Sequence, residues 1–179
     1  YDYDANGNLT KITNNDNSVV SYAYNSNNQL ISQTDANGNI TTYEYSGAWC
    51  SASVNAKGEK TQYQYNAHGQ LCSTIDSKGN ITRFMYDAAG RKTGQQNANG
   101  ELEQYVYNAG GLCTAIIDPK GYRTDFEYSK NDKITKIIDP LEHVYTYTYD
   151  KLGNKLSESD PAGKTVKYVC LKQQYACHT

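Results

Sequence analysis

Tyr22-Ala23-Tyr24-Asn25 decides the fold, because the repeat it opens returns about every 21 residues along the whole chain. Copies begin at Tyr1, Tyr22, Tyr43, Tyr63, Phe84, Tyr105, Phe126 and Tyr147, and a broken ninth begins at Tyr168. Every complete copy has an aromatic at its first position and a Tyr at its third. These positions and Tyr168 hold 17 of the 21 aromatic residues, so the aromatics belong to the repeat and are not scattered. Such a period marks a repeat architecture, in which each copy is one supersecondary unit that buries its apolar face only against its neighbours.

Numbered from its first aromatic, each repeat carries two turn signals. The fourth position is Asp, Asn or Ser throughout (Asp4, Asn25, Ser46, Asn66, Asp87, Asn108, Ser129, Asp150), side chains that bond their own backbone to start a turn. The seventh reads Gly7, Asn28, Gly69, Gly90, Gly111, Asp132 and Gly153, residues that tolerate positive φ. Together they predict a type I turn closed by a left-handed residue, a common hairpin loop. The third repeat lacks one residue here. Its Ser46-Gly47-Ala48-Trp49 suits a two-residue type II′ loop with Gly47 at the first central place. The lone Trp49 beside it reads first as a local packing plug, with a contact role as the alternative.

A second turn follows ten residues later. The fourteenth position is always Asp or Asn, and the seventeenth is Gly or Asn except at Glu142, for which the pattern offers no reason. Pro119, Pro140 and Pro161 each follow that Asp, where a fixed φ suits the second residue of a turn and where a central strand is barred. Between the turns lie segments such as Thr41-Thr42-Tyr43-Glu44-Tyr45 and Gln70-Leu71-Cys72-Ser73-Thr74-Ile75, rich in residues that suit a pleated surface. The prediction is an all-β chain: a continuous antiparallel β-hairpin array over residues 1–167, with about eight repeats and about sixteen strands. Residues 168–179 form the broken ninth repeat and a tail. Lys92 and Lys155 fall at the ninth position, where other repeats carry Leu9, Leu30 or Leu71. A local register shift, or a lysine stem with its head in water, accounts for them.

Composition bounds the function. Apolar content is 37% and mean hydropathy is −0.80, yet 18 Tyr and a formal charge of −2 are unlike a disordered chain. A near-neutral charge offers no electrostatic reason to bind nucleic acid. No apolar run approaches the roughly 18 residues of a membrane span. The chain opens inside one repeat and closes after starting another, which reads as a piece of a longer array. Cys50, Cys72, Cys113, Cys170 and Cys177 lack metal-type spacing. The first three read as small apolar residues, two strands apart at roughly 9–10 Å and beyond disulfide reach.

Physics adds one requirement. Sixteen strands at ~4.8 Å make a ribbon about 75 Å long, and strands of six or seven residues make it about 20 Å wide. Its aromatic face would expose roughly 1,500 Å², well above the few hundred Å² a soluble monomer normally shows. That face must be covered. Strand twist makes a long ribbon curl, so the wall of a hollow body is one solution. Cover by another domain or a second copy is the other.

Tyr86-Asp87-Ala88-Ala89-Gly90-Arg91 and Asp118-Pro119-Lys120-Gly121, with Tyr149-Asp150-Lys151-Leu152-Gly153-Asn154 and Asp160-Pro161-Ala162-Gly163, resemble the YD (tyrosine–aspartate) repeat of the Rhs family. Such repeats occur in bacterial Rhs polymorphic toxins, in the cocoon-forming component of insecticidal toxin complexes and in teneurins. The resemblance implies a curled sheet that is part of a spiral β-shell, on a secreted or cell-surface protein of bacterial type. It implies partners too: neighbouring repeats of a longer parent chain and an enclosed toxin polypeptide. The family's C-terminal core region with its self-cleavage site, and a toxin domain, are not found in this sequence.

No catalytic, cofactor or metal constellation emerges, so no site residues and no cofactor are assigned and an enzyme is not expected. His68, His143 and His178 lie at unrelated positions, two of them in turns. Cys170, Cys177 and His178 read as a frayed end before they read as metal ligands. The recurring Asp and Asn lack the dense acid alternation of a calcium loop. The expected function is a non-catalytic shell wall that encapsulates or presents a toxin or effector polypeptide. The alternative is a surface adhesion or carbohydrate-binding module, in which exposed Tyr rows stack on a glycan.

Overall fold

The computed structural model describes residues 1–168. They form seventeen β-strands, all antiparallel members of one sheet, and no helix. The strands are β1 Asp2–Tyr3, β2 Leu9–Thr13, β3 Val19–Tyr24, β4 Leu30–Thr34, β5 Ile40–Ser46 and β6 Trp49–Val54. Then come β7 Lys60–Tyr65, β8 Leu71–Ile75, β9 Ile81–Tyr86, β10 Lys92–Gln96, β11 Leu102–Tyr107 and β12 Cys113–Ile117. Last are β13 Arg123–Tyr128, β14 Ile134–Ile138, β15 Val144–Tyr149, β16 Lys155–Ser159 and β17 Thr165–Lys167. The count is one above sixteen because the ninth repeat begins with β17. By packing, these residues group into two blocks. One comprises Tyr1–Met85 with Gln95–Gly100; the other comprises Tyr86–Gly94 with the described residues from Glu101 onward.

Both turns of the repeat fold the same way. In the first, Asp4 N–H donates to the Asn8 carbonyl and Gly7 N–H to the Asp4 carbonyl, at 2.9 and 3.1 Å. The Asp4 carboxylate accepts from the backbone of Asn6 and Asn8, each at 2.9 Å. The second turn repeats this at Asp35, whose Oδ1 accepts from Asn37 and Asn39 while Oδ2 accepts from the Asn39 amide. A short side-chain oxygen that accepts from two backbone N–H groups of the loop explains why Asp, Asn or Ser serves here. The amide of Asn8, Asn39, Asn80 or Asn154, followed by the same residue's backbone N–H, holds the carboxyls of Asp4, Asp35, Asp76 and Asp150 below the usual range. Ser129 does the job less well, with contacts of 3.3 Å.

The two hairpin types differ in register. Second-turn hairpins pair without interruption, as in Lys11↔Ser21, Ile12↔Val20 and Thr13↔Val19. First-turn hairpins carry a β-bulge beside the loop: Ala23 faces Ser32, but Tyr24 faces Leu30, leaving Ile31 as the extra residue. That extra residue is what lets a strictly alternating strand return its tyrosines to the same side each time. The third repeat keeps the bulge and shortens only the loop, with Gly47 at φ 59° and Ser46 paired to Trp49. This matches the expected type II′ turn.

Little of the structure is fully buried. Among the described residues the buried hydrophobics are Ala52 and Ala115, at 2% and 0% exposure, and no large side chain is wholly enclosed. These alanines lie opposite the tyrosine side, Ala115 between Val106 and Asp125 and Ala52 between Glu44 and Gln62. A short side chain flanked by longer ones on both neighbouring strands is covered by them. The sequence reading did not anticipate this position.

Glu142 now has an explanation, though not a comfortable one. It occupies the seventeenth position with φ 63°, the left-handed conformation that Gly takes in most repeats, and its N–H still closes the turn on the Asp139 carbonyl. A side chain there costs roughly 1 kcal/mol against Gly. Glu142→Gly should therefore raise the urea midpoint, by a stability gain of about 1 kcal/mol. The same change should help less at Asp132, φ 58°, since Asp tolerates this region better. Equal or lower stability of the Glu142 variant would contradict the turn analysis.

Candidate functional site: the tyrosine face

The repeat builds a surface, and the surface is the feature to explain. Pairing places Tyr22 opposite Gln33, Gln33 opposite Thr41, and Thr41 on the same side of β5 as Tyr43 and Tyr45. The same chain of pairs runs from Tyr43 through Ser53 and Thr61 to Tyr63. In the second block it runs from Tyr105 through Ile116 and Thr124 to Phe126, and through Ile137 and Tyr145 to Tyr147. Within each block the repeat aromatics therefore share one face. From Tyr22 to Tyr149 they are half-buried, while Tyr1 and Tyr3 stand 81% and 61% exposed.

The third-position tyrosine does more than pack. Tyr24 Oη donates to the Leu9 carbonyl at 3.0 Å, Tyr45 to Leu30 at 2.9 Å, Tyr107 to Lys92 at 2.8 Å and Tyr128 to Cys113 at 2.6 Å. Each acceptor lies fifteen residues earlier, at the ninth position of the preceding repeat. At Leu9 the reason is geometric: it starts β2 two residues before the first pair with β3, Lys11↔Ser21, so the phenol reaches a carbonyl outside that ladder. Leu30 and Cys113 stand in the same relation to Ser32↔Thr42 and Ala115↔Asp125. An unmet carbonyl at a half-buried site is costly, so the phenol acts as the missing ladder donor.

A signal for this lay in the sequence. Phe appears twice in the repeat, at Phe84 and Phe126, and both are first positions; the third position is Tyr in all eight copies. A purely apolar role would have tolerated Phe at either place.

A second tie joins successive repeats along the first-turn edge. The eighth-position side chain reaches the next turn: Asn8 Nδ2 to Asn28 Oδ1 at 2.9 Å, Gln29 Nε2 to the Gly47 carbonyl at 2.8 Å, and Arg91 Nη1 to the Asn108 carbonyl at 3.0 Å. Arg91 also lies 4.9 Å from the Tyr107 ring centre, a cation–π distance.

Charge separates the two faces of the N-terminal block. Registered strand residues on its tyrosine face include none that is charged, whereas the opposite face holds the ion pairs Asp2–Lys11 and Glu44–Lys60, at 3.8 and 2.8 Å. The C-terminal block admits charges among its tyrosines and sets Lys92 and Lys155 each against an aromatic ring. Lys92 Nζ sits 5.4 Å from the Tyr105 ring, and Tyr105 donates to the Glu103 carboxylate, which pushes the phenol up to about 12. Lys155 sits 5.1 Å from the Tyr147 ring and 3.0 Å from Glu158. At Lys155 the first-turn bulge is the same as in other repeats, so no register shift is needed, and the exposed ammonium lies beside the Tyr147 ring, as a lysine stem with its head in water would place it.

The cysteines need a correction as well. Cys50 and Cys113 are half-buried free thiols that donate to the Ala52 and Ala115 carbonyls at 3.4 Å, and burial pushes the Cys50 thiol up. Cys72 is the extra residue of its bulge, not an apolar filler. Its Sγ donates to the Gln64 carbonyl at 3.3 Å, the place taken by Thr114 toward Val106 and Thr135 toward Glu127. His68 and His143 are exposed turn residues, His143 against Asp139 at 2.9 Å. Among the described residues no cluster of His, Cys, Asp or Glu could hold a metal ion, and no helix is long and apolar enough to cross a membrane. The candidate ligands Cys170, Cys177 and His178 lie outside the described residues.

Comparison with known proteins agrees with this geometry. The family model described as Teneurin YD-shell matches residues 1–116, and the RHS Repeat model matches residues 128–165. The Photorhabdus luminescens Tc holotoxin pore superposes with a TM-score of 0.70 at 18% identity, over 86% of this chain and 10% of that one. The crystal structure of TcdB2-TccC3-Cdc42 does so with a TM-score of 0.67 at 18% identity, over 84% and 9%. The chain thus spans about a tenth of the length of the solved chains it resembles. No curated protein sequence matches it.

The phenol–carbonyl tie makes a clear forecast. Tyr45→Phe and Tyr128→Phe should each lower stability by about 1–2 kcal/mol, because each strands a carbonyl. Tyr43→Phe should stay within about 0.5 kcal/mol, since Phe is native at that position in two repeats. Chemical denaturation of the three variants separates the cases, and equal losses at Tyr43 and Tyr45 would refute the tie.

Proposed function

This chain belongs to the teneurin YD-shell family, and from that premise we propose that it is a segment of wall in a β-shell that encloses or presents a polypeptide. The observation that carries the reading is the asymmetry of the N-terminal block. One face gathers the repeat tyrosines with no charged strand residue among them, and the other carries ion pairs suited to water. A face of half-buried rings with no layer over it is incomplete by itself. Ties between neighbouring repeats, such as those of Tyr24, Tyr45, Tyr107 and Tyr128, can be copied along the strand order, as a wall requires.

The role is that of a scaffold. The polypeptide enclosed would be a toxin or effector of the same parent assembly, exported or displayed at the cell surface, as the resemblance to Tc toxin structures supports. No observation gives the glycan-binding alternative an advantage: the best-placed phenol hydroxyls are already engaged with backbone carbonyls.

Hydroxyl-radical footprinting of the parent polypeptide tests the wall. Tyr43, Tyr45 and Tyr63 should be modified far more slowly than the exposed turn residues Tyr122 and Leu141, and slower still than in the isolated chain. An internal polypeptide should resist protease until the assembly is opened. Tyrosines labelled equally in parent and isolated chain, with no protected polypeptide, would overturn the proposal.

A further inference from the structure

The third repeat interrupts the tyrosine ties, and a cleft opens there. Tyr65 stacks on Trp49, with ring centres 5.4 Å apart and planes at 26°, and has no hydrogen-bond partner among the described residues. The indole also lies over Gly69, where an added Cβ would come within 2.4 Å of it. Trp49 is a packing plug to that extent, yet half of it (50%) remains exposed. Its open side borders a cleft of about 480 Å³ that includes Tyr63, Ser46, Ser51 and Gln64 and has no charged side chain in its lining.

We propose that this cleft receives an aromatic side chain of an unfolded or extended polypeptide. The inference rests on the shell reading, which supplies a polypeptide. Three rings already form the walls, so an incoming ring continues the Trp49–Tyr65 stack. The hydroxyls of Ser46 and Ser51 and the Gln64 amide have no partner for their donors among the described residues, and Gln64 Oε1 accepts from Ser73 at 2.6 Å. Those donors meet the carbonyls that flank a side chain in a peptide, which would otherwise lose water unpaired. A charged side chain finds no counter-ion in the lining and is disfavoured by its own desolvation. The volume falls within the usual range for small-molecule clefts, roughly 300–1,000 Å³.

Trp49 is the only tryptophan, so its emission reports the cleft in the unmodified chain. Titration with acetyl-Gly-Phe-Gly-amide should give a saturable shift. Acetyl-Gly-Leu-Gly-amide should bind about fivefold more weakly, the worth of one aromatic pair, and methyl glucoside should leave the emission unchanged. Calorimetry should show Phe-peptide binding lost in Trp49→Leu and weakened in Ser51→Ala, which leaves the indole in place. Equal binding of the Phe and Leu peptides, no binding of either, or a saturable glucoside shift as large as that of the Phe peptide would each overturn the proposal. A failed titration leaves the shell reading standing, because that is decided by protection in the parent. Conversely, an unprotected parent with intact Phe-peptide binding would remove the shell and keep the cleft.

Discussion

A carbonyl outside the strand ladder governs this structure. The first-turn bulge places the ninth residue of each repeat two positions before pairing with the next strand begins, and its carbonyl needs a donor there. Only a long side chain from the following repeat can reach it, and the phenol of Tyr is long, rigid and ends in a hydroxyl. Four repeats show this bond directly. In those four repeats bulge and phenol act together, while Tyr65 and Tyr149 keep the bulge without the bond among the described residues. Within each block the bulge returns the tyrosines to one face, and the phenols of Tyr24, Tyr45, Tyr107 and Tyr128 meet the carbonyls that pairing leaves open.

The consequence is a protein held by nearest-neighbour ties instead of a central core. No large side chain is enclosed among the described residues, and the most buried are small residues in the trough of the opposite face. Phenols bond to the preceding repeat, turns tie along one edge, and the lysines that enter the tyrosine face of the C-terminal block lie beside rings, Lys155 also against Glu158. Such a design extends by copying but leaves one face without its layer. The proposed shell answers that deficit, because a wall is covered by what it encloses.

The hairpin array was legible in the sequence because its signals are local. Asp-x-x-Gly spacing, Pro after Asp and an aromatic pair at i and i+2 each dictate a turn or a strand face without distant partners. The type II′ loop at Gly47 followed from one missing residue. What escaped was whatever depends on register between strands: the bulge, the buried Ala52 and Ala115, and Cys72 standing in for a threonine hydroxyl. The lysines at Lys92 and Lys155 looked like exceptions because their partners, Tyr105 and Tyr147, lie on another strand. The tyrosine tie was half visible. Phe at the first position but never at the third was written in the chain, yet the acceptor fifteen residues back becomes apparent only once the strands are aligned.

The most direct test is to observe the bonded hydroxyl itself. In NMR spectra of the chain at low temperature, the Tyr24, Tyr45, Tyr107 and Tyr128 hydroxyl protons should exchange slowly and show contacts to Leu9, Leu30, Lys92 and Cys113 in turn. Tyr65, stacked on Trp49, should exchange fast. Rapid exchange at all five phenols, or contacts that place them on opposite faces, would contradict the account.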